Sequence, residues 1–282
     1  MRSTYDVLAL RRCALAVSVC NDLDLLPDND GVVLVGPAPV HASWLACREA
    51  LAGADPDSER GRELLARWLT ARRWLADLTV DQLAERARPL GMVVGSEPHP
   101  GPHWTRRRIL GGALDLGLGF LGLDPLRPQH VLAPPDGVLV AAGVSAGAWW
   151  PAALDYLERM GALASDRWAR DPAAALRPMG DCDVVTLLGS ATLRSAFAGG
   201  TAGGMRAIAV PMRTRGWLDL SRIDPAFALA AAAATEPAER GFDGPLLVTT
   251  DEVVLPVAGG RPAEIVLRDP AVVSGLRAAL YR

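Results

Sequence analysis

VLVAAGVSAGAWWPAAL, residues 138–154, decides how the chain is read. An apolar run leads into a turn of small residues, and a helical segment follows. The pattern predicts a strand over 137–142, a tight turn, and a helix over 147–163. That is the βα unit of an α/β fold. Inside the turn, Gly143-Val144-Ser145-Ala146-Gly147 is a literal G-x-S-x-G. In a nucleophile elbow such a turn lifts the Ser clear of the strand end, beside backbone N–H groups that can stabilise an oxyanion.

Working outward, the same alternation recurs. Asn29-Asp30-Gly31 is a turn signal, and Val32–Val35 reads as a buried strand followed by a helix from Pro39 to Leu51. Residues 57–90 read as helix, with Thr79 and Gln82 forming a capping box. Residues 95–105 read as loop, because Pro98, Pro100 and Pro102 forbid helix and central strand alike. Downstream, strands are predicted over 184–188 and 206–212, with helices near 190–198, 225–235 and 270–281. PLLVTT, EVVLPV and AEIVLR make the C-terminal end strand-rich. The expected fold is α/β: a mixed, mostly parallel sheet with flanking helices, divided into a helix-rich half (1–105) and a second α/β half (106–282). One echo supports a pseudo-duplicated arrangement of βα halves. DGVVLVGPAPVHASWLACREAL from Asp30 aligns without gaps to DGVLVAAGVSAGAWWPAALDYL from Asp136, with Trp44 on Trp150. Pro39 holds the Ser145 position in the first copy, so the turn itself does not require Ser.

Composition narrows the chemistry. The 282 residues are 50% hydrophobic and carry a net charge of −3, which gives no basic field for nucleic acid. All 29 basic residues are Arg. Without Lys, a Walker-type phosphate loop, a pyridoxal Schiff base and a kinase phosphate clamp are excluded. Cys13, Cys20, Cys47 and Cys182 are scattered, which fits reduced thiols in a cytoplasmic protein. Arg11-Arg12 before a short apolar run faintly resembles an export signal, but the run is too short and lacks a small-residue cleavage site. No apolar stretch reaches the roughly 18 residues of a membrane span. The expectation is a soluble protein without cofactor, membrane or nucleic-acid partner, acting on a small molecule or protein partner and able to form a homo-oligomer.

GVSAGA also resembles the nucleophile segment of patatin-like acyl hydrolases. That resemblance implies a Ser–Asp dyad with a Gly-rich oxyanion loop upstream. Ile109-Leu110-Gly111-Gly112 is similar to that loop, and Asp243-Gly244 to the Asp motif. It implies Ser145 as nucleophile, Asp243 as base with Asp251 in reserve, and backbone at Gly111, Gly112 and Ala146 as oxyanion donors. Pro245 and the missing third Gly of the loop depart from the family pattern. All four His precede Ser145, which contradicts an ordinary α/β-hydrolase order.

Other candidates are weighed by context. Gly117-Leu-Gly-Phe-Leu-Gly122 is a G-x-G-x-x-G with no helix to follow, so it does not predict a dinucleotide site. Glu97, His99 and His103 sit on a proline-rich loop, where a helical zinc pair cannot form; no metal is assigned, but a loop can fold around one, and with Arg106 to Arg108 this gives a third reading, a metal- or anion-dependent enzyme. Trp104 with Arg106, Arg107 and Arg108, and Trp149, are the candidate ligand-binding residues, since guanidinium groups bind phosphate or carboxylate. Asp181 and Asp183 flank Cys182 and read as turn or capping chemistry. The functional expectation is a small-ligand-binding or protein-interaction module, with a serine-dependent acyl hydrolase as the alternative.

Overall fold

The computed structural model describes residues 4–96, 100–172, 175–201, 203–218, 239–242 and 245–249. In chain order these form α1 (Thr4–Asn21), β1 (Leu25–Pro27), β2 (Gly31–Leu34), β3 (Val40–Ser43), α2 (Trp44–Ala50), α3 (Glu59–Ala76), α4 (Val80–Arg86) and β4 (Ala87–Val93). Next come β5 (Arg106–Ile109), β6 (Leu114–Leu121), β7 (Val131–Leu132), α5 (Val138–Ala141) and α6 (Trp150–Arg170). The last described elements are α7 (Val184–Leu187), α8 (Ala191–Gly199), β8 (Met205–Met212), β9 (Arg215–Trp217) and β10 (Leu246–Thr249). The expected helices at 225–235 and 270–281, and the strands of EVVLPV and AEIVLR, lie outside the described residues.

The fold is mixed α/β, but its sheets are not mostly parallel. Strand orders are β1-β2-β3, β4-β6-β5 with β7 also on β6, and β10-β8-β9. The β1–β2, β2–β3, β5–β6, β6–β7, β8–β9 and β8–β10 pairings are antiparallel. Connection length explains the correction. A parallel pair needs a crossover of a dozen or more residues, whereas β2–β3, β5–β6 and β8–β9 are joined by short turns.

Local chemistry explains the other departures. The expected strand over 184–188 is helix α7, because Asp183 caps it: its Oδ1 accepts the Thr186 N–H at 2.7 Å. The helix expected from Pro39 starts only at Trp44, with Ser43 as its cap and β3 ahead of it. Residues 57–90 hold α3 and α4 as expected, and the Thr79–Gln82 capping box is present. The segment then turns into β4, a strand that helical periodicity hid. The G-x-G-x-x-G lies largely within β6, an extended and buried strand.

The echo is not matched element for element. Its first copy runs β2, β3, α2, while its second runs α5, a 3₁₀ turn and α6. Trp44 and Trp150 each begin a helix, so only the helical ends correspond.

The described residues fall into two compact units. The first draws on Met1–Ala87, Pro100–Thr105 and Gly119–Trp149, and the second on Arg88–His99, Arg106–Leu118 and Trp150–Arg282. In the first, α1 buries Leu10, Cys13, Ala14 and Val17 and packs on α3 and α2. Phe120 is enclosed there between Trp74 and Trp149, each edge-on at 5.8 Å. In the second, Leu114, Leu116, Leu157, Val185, Phe197, Ile208 and Val210 form the core. There α6 crosses the start of α8 at Gly161, where a Cβ would collide with the Ser190 side chain.

Candidate functional site

The turn around Ser145 is a helix stop, not an elbow. The apolar run before it is helix α5, begun at Gly137 in the left-handed region. Gly143, at φ 67°, donates its N–H to Val140 O at 3.0 Å, and Val144 donates to Leu139 O at 2.9 Å. This pair of bonds around a left-handed Gly is a Schellman cap. The first Gly of the G-x-S-x-G therefore ends a helix. Ser145 follows it, exposed, and leads into a 3₁₀ turn over Ala146–Trp149 that runs on into α6. Among the described residues Ser145 Oγ makes no hydrogen bond, so it neither caps α6 nor meets a base.

The other members of the hydrolase constellation are placed as follows. Asp243 and Asp251 lie outside the described residues. Gly111 and Gly112 belong to the second unit, Ser145 to the first. The two glycines form the β5–β6 hairpin turn, where Leu110, Gly111 and Gly112 take successive positive φ values of 55°, 61° and 93°. Leu110 is fully buried in the second unit's core, and that burial offsets a left-handed conformation costing roughly 1–2 kcal/mol. Ala146 is buried. The described geometry gives the hydrolase reading no support.

The arginine-rich strand is already neutralised. Register sets Arg108 opposite Asp115 on β6. Asp115 is 1% exposed; its carboxylate accepts from Arg108 Nε at 3.0 Å and lies 3.5 Å from Arg106 Nε. Two of the three expected anion binders thus grip a buried carboxylate of their own chain, which is how a buried charge is tolerated. Arg107, on the opposite face of this edge strand, is exposed. Trp104 and Trp149, the other expected ligand-binding residues, are both buried.

In the proline-rich loop the structure places His103 beside Asp136. Glu97 and His99 lie outside the described residues. His103 is exposed, and its Nδ1 lies 3.0 Å from Asp136 Oδ2, while Asp136 Oδ1 accepts the His103 backbone N–H at 2.9 Å. The carboxylate holds the ring by Nδ1. Gly101, at φ 105°, lies against Asp136 where any side chain would collide with the carboxylate. Among the described residues no His, Cys, Asp and Glu group could hold a metal ion.

Asp181 and Asp183 do the structural work expected of them. Asp181 accepts from Arg88 Nε at 2.6 Å and Tyr156 Oη at 3.2 Å. Asp183, besides capping α7, accepts from Arg213 Nε at 2.7 Å, and Arg213 in turn donates to Gly91 O. Between the two acids, burial pushes the Cys182 thiol up to about 12, so it is inert.

Sequence reasoning passed over Asp115, Asp136 and Glu158. Only Asp115 left a signal: a lone carboxylate among the leucines of LDLGLGFL, just after three arginines. Glu158 accepts from the Ser190 hydroxyl and the Ala191 and Thr192 N–H groups at 2.8–3.0 Å. Burial works to raise its pKa, but these hydrogen bonds outweigh it and hold the carboxyl below its ordinary value.

Two surfaces remain. A shallow cleft in the second unit, open to solvent, is lined by Trp168, Leu176, Val184 and Leu193. On the first unit, Leu8, Leu15 and Val19 of α1 are 50%, 48% and 85% exposed. Comparison with protein-family models, curated proteins and solved structures finds no match to this chain. Among the described residues no helix is long and apolar enough to cross a membrane.

Proposed function

We propose that the chain is a protein-interaction module whose docking face is the outer stripe of α1, and that a second copy of the chain is the partner. The observation that carries this reading is the spacing of the stripe. Leu8, Arg12, Leu15 and Val19 follow intervals of four, three and four residues, the a/d pattern of a helix–helix seam. The opposite face of α1 is already used by the core, so a single helix carries two apolar faces. Arg12 interrupts the seam, but Asp57 meets its charge at 2.8 Å. A seam of one repeating spacing is self-complementary, which is what an isologous pairing about a two-fold axis needs. Ala9 and Ala16 flank it and let a second helix approach closely.

An 18-residue helix is about 27 Å long. Pairing along that length alone buries less than the roughly 1,200 Å² of a standard interface, so the association is transient and concentration-dependent. Light scattering across a concentration series tests this. The wild-type mass rises toward twice the chain mass, and Val19→Asp stays at the monomer mass throughout. A wild type that remains monomeric at every concentration would falsify the proposal.

A further inference from the structure

α3 carries five arginines, and four have an evident setting. Arg60 pairs with Glu63 at 3.2 Å, and Arg62 donates to Asp57 O at 2.6 Å. Arg73 bonds Asp77 and donates to Ala38 O. Arg67 is exposed. Arg72 differs. It is half-buried, and its neighbours one turn away are Trp68, Leu69 and Leu75, all buried. No acid stands at helical reach, since position 76 is Ala. Its Nε is sealed from solvent, with no acceptor among the described residues. The terminal nitrogens are not sealed. Burial alone lowers its pKa. Among the described residues a guanidinium so placed has lost part of its hydration without gaining a counter-ion, an arrangement that costs stability unless an anion arrives. The low-dielectric backing also strengthens its pull on an oxyanion at the open fork.

We infer that Arg72 is an anion-binding residue, whose fork takes the phosphate or carboxylate group of a small ligand. The site is independent of the α1 seam. It also differs from the arginines of β5 singled out by sequence, two of which hold Asp115.

Thermal unfolding of the full chain in chloride buffer tests the inference, with inorganic phosphate and acetate titrated separately. Wild type should gain several degrees in Tm along a saturating curve with at least one of the two anions. The stronger response identifies the oxyanion source. Arg72→Met keeps the length of the side chain and removes the charge. It should melt at or above wild type in chloride and lose the saturating response. Arg72→Lys keeps the charge without the fork, and should need about tenfold more anion for half the effect. If Arg72→Met loses its cooperative transition, the Lys variant carries the test. A saturating response that is unchanged in the variants overturns the inference, as does its absence from wild type with both anions.

Discussion

The second unit gathers donors around its carboxylates, while the first turns several polar groups outward, although each unit also seals a nitrogen that meets no acceptor among the described residues, Trp168 Nε1 in the second and Arg72 Nε in the first. Asp115, Asp183 and Glu158 each receive two or more donors from their own unit. In the first unit, Arg72 Nε meets no acceptor and Ser145 makes no hydrogen bond among the described residues, His103 is exposed, and Leu8, Leu15 and Val19 of α1 face outward. Buried polar groups left unmade are costly, so networks that close on themselves belong to scaffolds. The contrast marks Asp115, Asp183 and Glu158 as parts of the second unit's scaffold.

The widest gap between the units should come from removing both guanidinia that grip Asp115. The double variant Arg106→Met/Arg108→Met leaves a carboxylate at 1% exposure without those donors and should cost about 3–5 kcal/mol in urea unfolding. Asp115→Asn should cost less, because the arginines it releases still reach water. A loss below about 1 kcal/mol in the double variant would remove Asp115 from the scaffold.

Next in size is Glu158. Glu158→Ala leaves the first N–H groups of α8 and the buried Ser190 hydroxyl without their acceptor, at about 1–3 kcal/mol. The sign of its pH dependence follows from its lowered pKa. An acid held below its unfolded value stabilises the fold above that value, near 4.3, and the contribution fades as pH falls through the folded pKa. Acid unfolding of Glu158→Gln should therefore be shallower than that of wild type below about pH 4.5. Parallel profiles would show that the carboxylate charge is not what caps α8.

The smallest effects belong to the Ser145 turn, and they separate the helix stop from the elbow. Gly143→Ala forces a side chain into the left-handed region and should cost about 1 kcal/mol. Ser145→Ala should lie within about 0.5 kcal/mol of wild type. A fluorophosphonate probe should leave Ser145 unlabelled. A stoichiometric adduct that vanishes in Ser145→Ala would restore the nucleophile and break the assignment of the turn.

How much of this could be read in advance depended on punctuation. Thr79 with Gln82, and the strands at 31–34, 205–212 and 246–249, were legible because caps and turn residues bounded them. The two echoing segments show the limit. Val32-Val33-Leu34 and Val138-Leu139-Val140 are almost the same tripeptide, yet one is strand and the other helix. Short apolar runs carry no period of their own, so their neighbours decide. Gly31 opens β2 against β3, whereas Gly137 and Gly143 punctuate a single helical turn. Sheet direction was misread for a related reason: alternation of elements suggested crossovers, but the connections are too short to make them. Site residues were legible by type and not by partner. The arginines of β5 stood out, while the acid that occupies two of them lay inside an apolar strand. Asp136 and His103 are far apart in sequence, and only the folded loop joins them.

The distribution of the thiols has a practical consequence. Cys13, Cys47 and Cys182 are buried, and burial pushes Cys47 and Cys182 up to about 12, whereas Cys20 stands exposed in the last turn of α1 beside Val19. The unaltered chain therefore carries a single maleimide-reactive position. A fluorophore or nitroxide attached there becomes a ruler for whatever docks on that helix, with no mutation needed to install it.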